Sequence, residues 1–206
     1  MARRTFFSFH YERDAWRAGQ VRNSDLLPTD DQHGFIDAVD WESIKRQGDD
    51  AVRRWINKQM EGTSVTVVLI GAETAGRPWV QYEITQSWNR GNGVVGVSIH
   101  NVKDCDRKTD VAGCNPFDQF RLPDGTLLSS ICKTYDWVHE DGRSSLGAWI
   151  EDAYNARSMH GMGDLISASE VHKQAQLPSV VRNFAAPAPP YRPVPVHRGH
   201  PIGAAK

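Results

Sequence analysis

The sequence predicts an α/β protein: a flavodoxin-like, doubly wound, mostly parallel five-stranded sheet with helices on both faces. Three observations lead there. "SVTVVLIG" (64–71) and "GVVGVSIH" (93–100) are almost continuously apolar and rich in β-branched residues, as in strands buried on both faces. Helical patterns alternate with these runs, as right-handed βαβ crossovers require. The 206 residues, 39% apolar and 24% charged, suit one domain with a sizeable core. That domain is assigned to residues 1–157. Residues 158–206 form a C-terminal extension.

"RTFFSF" (4–9) reads as the first strand, with Ser8, Phe9, His10 and Tyr11 at its carboxyl end. A polar, loop-like stretch is expected from there to about His33, and "GFIDAV" (34–39) reads as a weaker second strand. In 49–60, Val52, Trp55, Ile56 and Gln59/Met60 fall on one helical face, and Asp49 and Asp50 sit at the positive end of the helix dipole. Gly71 ends the strand at 64–71. The next helix spans 77–90, with Pro78 in its first turn and Val80, Ile84 and Trp88 as its buried stripe. Residues 101–130 read as a polar, irregular insertion, and "TYDWV" (134–138) as the last strand. A final helix is expected to be capped by Ser144 or Ser145, with Leu146, Trp149, Ile150 and Ala153 facing inward. "SMHGMGD" reads as a break and "DLISASEVHKQAQL" as a short helix. The proline-, alanine- and glycine-rich run from Pro178 reads as disordered or extended.

A formal net charge of −1 gives no global pull toward nucleic acid or anionic lipid, and no apolar run approaches a membrane span. The three cysteines, Cys105, Cys114 and Cys132, contain no CxxC pair, which fits reduced thiols in a cytoplasm. No P-loop, GxGxxG fingerprint or GxSxG elbow is present. "DCDRKTDVAGCN" has Thr109 and Asn115 where a calcium loop needs glycine and glutamate, so Asp104, Asp106 and Asp110 read as solvated acids and no metal is assigned. A phosphoacceptor receiver has the same sheet but needs acids at the end of the first strand, where this chain has Ser8-Phe9-His10.

Glu83 stands at the edge of the 77–90 stripe, and an ordinary helix glutamate would fit there equally well. In doubly wound sheets, however, ligands sit beyond the carboxyl ends of the strands, and Glu83 lies on the helix that starts just past one of them. One carboxylate with aromatic residues and a serine suits cleavage of an N-glycosidic bond. The leaving group is good when it is a cationic nicotinamide, so one carboxylate can stabilise the oxocarbenium-like transition state without a second acid.

"RTFFSFHYERD" resembles the first strand and loop of TIR-like domains. "TSVTVVLIGAETAGRPWVQYEI" resembles their third strand, loop and helix, with Trp79 and Glu83 at the family's tryptophan and glutamate spacing. Together with "VRN", "WE", "GNGVVGVSIH", "NPFD" and "YDWV", in that order, the chain resembles the TIR-like proteins of the bacterial Thoeris antiphage system over residues 3–152. The resemblance implies an enzyme that consumes NAD as substrate, needs no further cofactor and makes a cyclic ADP-ribose isomer. This product is a diffusible messenger to a downstream effector. A phage-derived trigger and homo-oligomerisation are further expectations of that resemblance. It also implies that Glu83 is catalytic, that Ser8, Phe9 and His10 line the substrate site, and, less directly, that Asp40 and Trp41 contact substrate. Trp79 is expected to be structural, and Asn115, Pro116 and Phe117 to pack a loop. A non-catalytic TIR-like scaffold and a deoxyribosyltransferase-like enzyme are the competing readings.

Overall fold

The chain builds β1 (Thr5–Phe9), α1 (Tyr11–Arg22), β2 (Gln32–His33), α2 (Ala38–Arg46), α3 (Asp49–Gln59), β3 (Val65–Ile70), α4 (Pro78–Asn89) and β4 (Gly93–Ser98), then β5 (Phe120–Arg121), β6 (Thr134–Asp136), α5 (Gly142–Met159) and β7 (Ile166–Ser167). This is a computed structural model, and it describes residues 3–24, 32–33, 38–159 and 165–167. Five strands form one parallel sheet in the order β2-β1-β3-β4-β6, and β5 and β7 form a separate antiparallel pair. The chain leaves β1 toward β2 and returns to the other side of β1 as β3. The switch point therefore lies between β1 and β3, where a crevice opens at the carboxyl ends.

Burial on both faces explains why β3 reads as a continuous apolar run. Val65, Val67 and Leu69 pack with Ala18 and Val21 of α1 and with Leu146, Trp149 and Ile150 of α5. Val68 and Ile70 face the opposite layer, with Val80, Ile84 and Trp88 of α4 and Phe117 and Leu128 of the insertion. A third cluster of Phe6, Trp41, Val52, Ile56 and Met60 joins β1 to α2 and α3. At the α5–β4 contact, a Cβ at Gly93 would lie 2.6 Å from the backbone carbonyl carbon of Ala153, so the close approach requires glycine.

Several expectations shift. The second strand is Gln32–His33, and Ala38 and Val39 belong to α2 instead; residues 34–37 lie outside the described residues. The final helix starts at Gly142, ahead of the serines proposed as its cap, after a turn with Asp141 at φ 47°. Ile166–Ser167 is a strand paired with β5, not part of a helix, because Arg121 and Phe120 offer it a backbone ladder. The rest of the expected 164–177 helix and the run from Pro178 fall outside the described residues.

The largest correction is α1, which replaces the expected loop after residue 10. Its inward residues are Asp14, Arg17, Ala18 and Val21, at helical spacing. Two of the four are charged, so hydrophobic periodicity cannot reveal the buried face. Arg17 donates to the Val102 carbonyl (2.9 Å), Asp104 Oδ2 (3.2 Å) and the Lys108 carbonyl (3.3 Å). Arg13 forms a two-pronged pair with Asp110, 2.9 Å on each branch. Asp104 and Asp110 are thus partners of α1 and not the solvated acids that the sequence had suggested, whereas the Asp106 side chain is exposed as expected. Asp104 also accepts from the Asp106 and Lys108 amides, which closes its turn.

Asp14 is fully buried, has no hydrogen-bond donor on either oxygen among the described residues, and lies 3.8 Å from Arg17 Nη1. Burial pushes its carboxyl up to about 6, against the opposing pull of Arg17. A side chain at Gly71 would collide with this carboxylate, so the glycine that ends β3 also makes room for it.

Removing Arg17 would strand Asp14 as an unpaired buried charge. Arg17→Ala should therefore lower stability by about 3–5 kcal/mol at pH 7.5. Asp14→Asn in the same chain should recover part of that loss, with a coupling of roughly 1–3 kcal/mol in urea unfolding. Additive losses would mean that the two side chains do not interact.

Candidate active site

The crevice beside the switch point is a pocket of about 790 Å³, counting its open mouth, lined by the end of β1, the start of α1, and faces of α2, α3 and α4. Strand alternation sends Phe6 and Ser8 to the same face of β1. Phe6 is spent on the α2–α3 core. Ser8, fully buried, instead donates from Oγ to Glu83 Oε2 at 2.5 Å.

Glu83 is 7% exposed, and α4 holds it firmly. Val80, Ile84 and Trp88 anchor the helix in the core. The Ser87 hydroxyl donates to the Glu83 carbonyl (2.7 Å) and lies 2.7 Å from Thr66 Oγ1 of β3. Two effects compete at the carboxyl group. Desolvation favours the neutral acid, and the Ser8 hydrogen bond favours the carboxylate. Desolvation wins and pushes Glu83 up to about 8.

Aromatic rings form the walls. Phe9 and Tyr11 have centroids 5.7 Å apart, Tyr11 and Trp41 5.9 Å, and Trp41 and Trp55 5.7 Å with the last two edge to face. Trp79 closes another side, edge-on to Tyr82 at 6.1 Å. His10 ends β1's extension and precedes α1; it is 8% exposed, and neither ring nitrogen has a hydrogen-bond partner among the described residues. Burial first, and then Arg77, lowers its pKa, so the imidazole is held neutral. Glu12, Lys45 and Arg77 stand around the same pocket.

Of the residues singled out in the sequence, Phe9, His10, Trp41 and Glu83 line one pocket, and Ser8 reaches it through Glu83. Trp41 also packs into the core, so it serves as both wall and filler. Asp40 falls in α2, but its side chain lies outside the described residues. Trp79, expected to be structural, is a pocket wall as well. Asn115 accepts from the Phe117 amide at 3.0 Å and Phe117 is fully buried, so that segment does pack a loop. Sequence reasoning placed Tyr11 at the end of β1 and Trp55 on a helix face without assigning either to the site, and it missed Glu12, Lys45 and Arg77. Lys45 follows Trp41 by four residues, but the sequence showed no helix there to put them on one face.

Chemically, the arrangement holds one buried carboxylate against apolar aromatic surface. Such a group attracts and stabilises a developing cation, and the walls accept planar rings.

The model of the Thoeris protein ThsB TIR-like domain matches residues 6–104, the span that contains Ser8, Glu83 and the residues lining the pocket. The chain is also 34% identical over 191 residues to ThsB1 of Bacillus cereus (strain MSX-D12), named as a proposed cyclic ADP-D-ribose synthase. That match covers 73% of this chain and 100% of ThsB1.

The raised Glu83 carboxyl has a consequence for stability. In the folded protein this group titrates near 8, against 4.5 for its ordinary value, so its stabilising share is complete below 4.5 and is lost as pH rises through 8. Glu83→Gln should therefore gain on wild type as pH rises, by up to about 1.4 kcal/mol per pH unit, and then level off. Urea unfolding at several pH values checks this; parallel curves for the two proteins would mean that Glu83 titrates normally.

Proposed function

The chain belongs to the TIR-like family of Thoeris ThsB proteins, and from that premise we propose that its pocket cleaves NAD at the nicotinamide–ribose bond and closes the product into a cyclic ADP-ribose isomer. The observation that carries this reading is the Ser8–Glu83 pair, buried at the carboxyl ends of β1 and β3 and walled by aromatic rings. Nicotinamide stacks between aromatic walls and brings a positive charge near Glu83. The charge favours the carboxylate over the neutral acid, so substrate entry ionises the group that the reaction needs. The C1′–N bond then breaks, its electron pair leaves on nicotinamide, and Glu83 stabilises the ribosyl cation. Ser8 orients the carboxylate through its short hydrogen bond. A hydroxyl group from the other end of the same molecule attacks C1′, and its proton passes to Glu83. Water would compete for the same carbon, and the aromatic walls that narrow the pocket disfavour it.

The cyclic nucleotide is a messenger in this reading. It diffuses to a downstream effector, a phage-derived signal switches synthesis on, and copies of the chain associate. Asp40 joins Trp41 at the substrate's edge. No helix among the described residues is long and apolar enough to cross a membrane.

The decisive experiment incubates wild type and Glu83→Gln with NAD, as purified protein and in lysates of phage-infected cells, and follows nicotinamide and the ribosyl product by mass spectrometry. Wild type should release nicotinamide and a product of cyclic mass, and Glu83→Gln neither. Turnover by the variant would remove Glu83 from the mechanism, and linear ADP-ribose alone would make the protein a hydrolase. The pH profile is a second check. kcat/KM reports the free enzyme and should rise with pH through a midpoint near 8, the value to which burial pushes Glu83, and level off above it. Ser8→Ala removes the interaction that favours the carboxylate and should move that midpoint to higher pH.

A further inference from the structure

The mouth of the pocket carries positive charge that cleavage at Glu83 does not use. Lys45 comes from α2, and Arg77 directly precedes α4. Two twelve-residue helices, α1 and α4, begin at this wall. Their N-cap residues are His10 and Arg77, and neither makes a side-chain cap hydrogen bond. The first backbone bonds that close each helix run from Asp14 to His10 (2.9 Å) and from Gln81 to Arg77 (3.0 Å), and first-turn residues of both helices, Tyr11 and Glu12, and Trp79 and Val80, line the pocket, which brings two positive helix ends to one wall. His10 supplies an independent sign of a ligand. It is buried at the same wall with both ring nitrogens unpartnered, an arrangement that costs free energy until an acceptor or donor arrives.

Carboxylates hold both cations. Lys45 pairs with Glu12 (2.6 Å) and Glu42 (3.1 Å), and Arg77 pairs with Glu73, which also accepts from Arg13 (2.9 Å). Glu12 marks where the positive charge converges. Lys45 above all, and also Arg77, hold its carboxyl below the ordinary range, and it lies 3.8 Å from His10 Nε2.

We propose that this mouth is a diphosphate subsite: Lys45, Arg77, His10 and the first turns of α1 and α4 receive the two phosphoryl groups of a dinucleotide, which displace the resident carboxylates of Glu12, Glu42 and Glu73 from the two cations. The inference rests on the NAD-cleaving reading and adds where the substrate's negative charge goes. A diphosphate held at the mouth directs one nucleoside inward, along Trp79 and Trp41 to Glu83. It also fixes the distance from which the other nucleoside must fold back to reach the anomeric carbon.

Calorimetric titration with ADP-ribose, and competition by inorganic pyrophosphate, test the subsite. Wild type should bind ADP-ribose, with pyrophosphate competing and added salt weakening it. Lys45→Gln and Arg77→Gln should each weaken ADP-ribose by about tenfold or more at unchanged melting temperature. Lys45→Arg should retain binding, which assigns the effect to charge and not to packing. No binding by wild type, no competition by pyrophosphate, or wild-type affinity in both glutamine variants would overturn the proposal. NAD turnover by wild type, set beside these titrations, separates the two readings. If ADP-ribose binds through Lys45 and Arg77 but wild type never turns over NAD, the cleavage reading falls and the subsite stands. If wild type turns over NAD but both glutamine variants bind ADP-ribose normally, the subsite falls and the cleavage reading stands.

Discussion

The structure depends on keeping one carboxylate out of water. Glu83 lies at 7% exposure on a helix whose other inward residues are Val80, Ile84, Ser87 and Trp88. Among the described residues a single hydroxyl, that of Ser8, hydrogen-bonds to it. An uncompensated buried charge would be costly, and the protein answers by holding the group largely as the neutral acid near neutral pH. The arrangement stores free energy that a cationic substrate releases. A second counter-charge beside Glu83, such as Arg or Lys, would stabilise the fold and quench that response. The cations of the pocket stand instead at its mouth, occupied by Glu12, Glu42 and Glu73.

The α1 helix links this site to the rest of the molecule. Its first residues, Tyr11 and Glu12, line the pocket. Its next turns grip the insertion through Arg13 and Arg17, with Gln20 adding a bond to the Lys103 carbonyl at 2.6 Å. The insertion in turn contributes Phe117, Phe120 and Leu128 to the core layer that supports α4. One helix thus braces both sides of the sheet around the crevice. The junction at its centre is tight: Gly71, Gly113 and Asp14 crowd one point, where a side chain on either glycine would meet backbone or carboxylate. Packing and ion pairing there are not separable, since the space that the glycines leave is the space that the carboxylate fills.

The strands β3 and β4 and the helices α3 and α4 were legible because apolar burial alone specifies them. Val65 to Ile70 are all buried, and Val80, Ile84 and Trp88 repeat at helical spacing. The pocket's centre was legible for a related reason, since the carboxyl ends of such strands and the start of the following helix are places that topology reserves for ligands, and Ser8 and Glu83 occupy them. The α1 helix was not legible. Half of its buried face is Asp14 and Arg17, and the Arg17 partners Val102, Asp104 and Lys108 lie 85, 87 and 91 residues away. Nor were the mouth residues: Lys45 and Arg77 look like ordinary surface cations until α2 and α4 are brought to one opening.

The sequence by itself therefore determined the strands β1, β3 and β4, the α4 crossover between the last two and the place of Glu83 beside the strand ends, because these follow from local periodicity and from the rules of chain winding. Only the tertiary structure decided that Glu83 is buried, that the Ser8 hydroxyl bonds to it, and that two helix starts and two cations ring the entrance. Those properties are sums of desolvation and charge over residues far apart in the chain, and no stretch of sequence contains them.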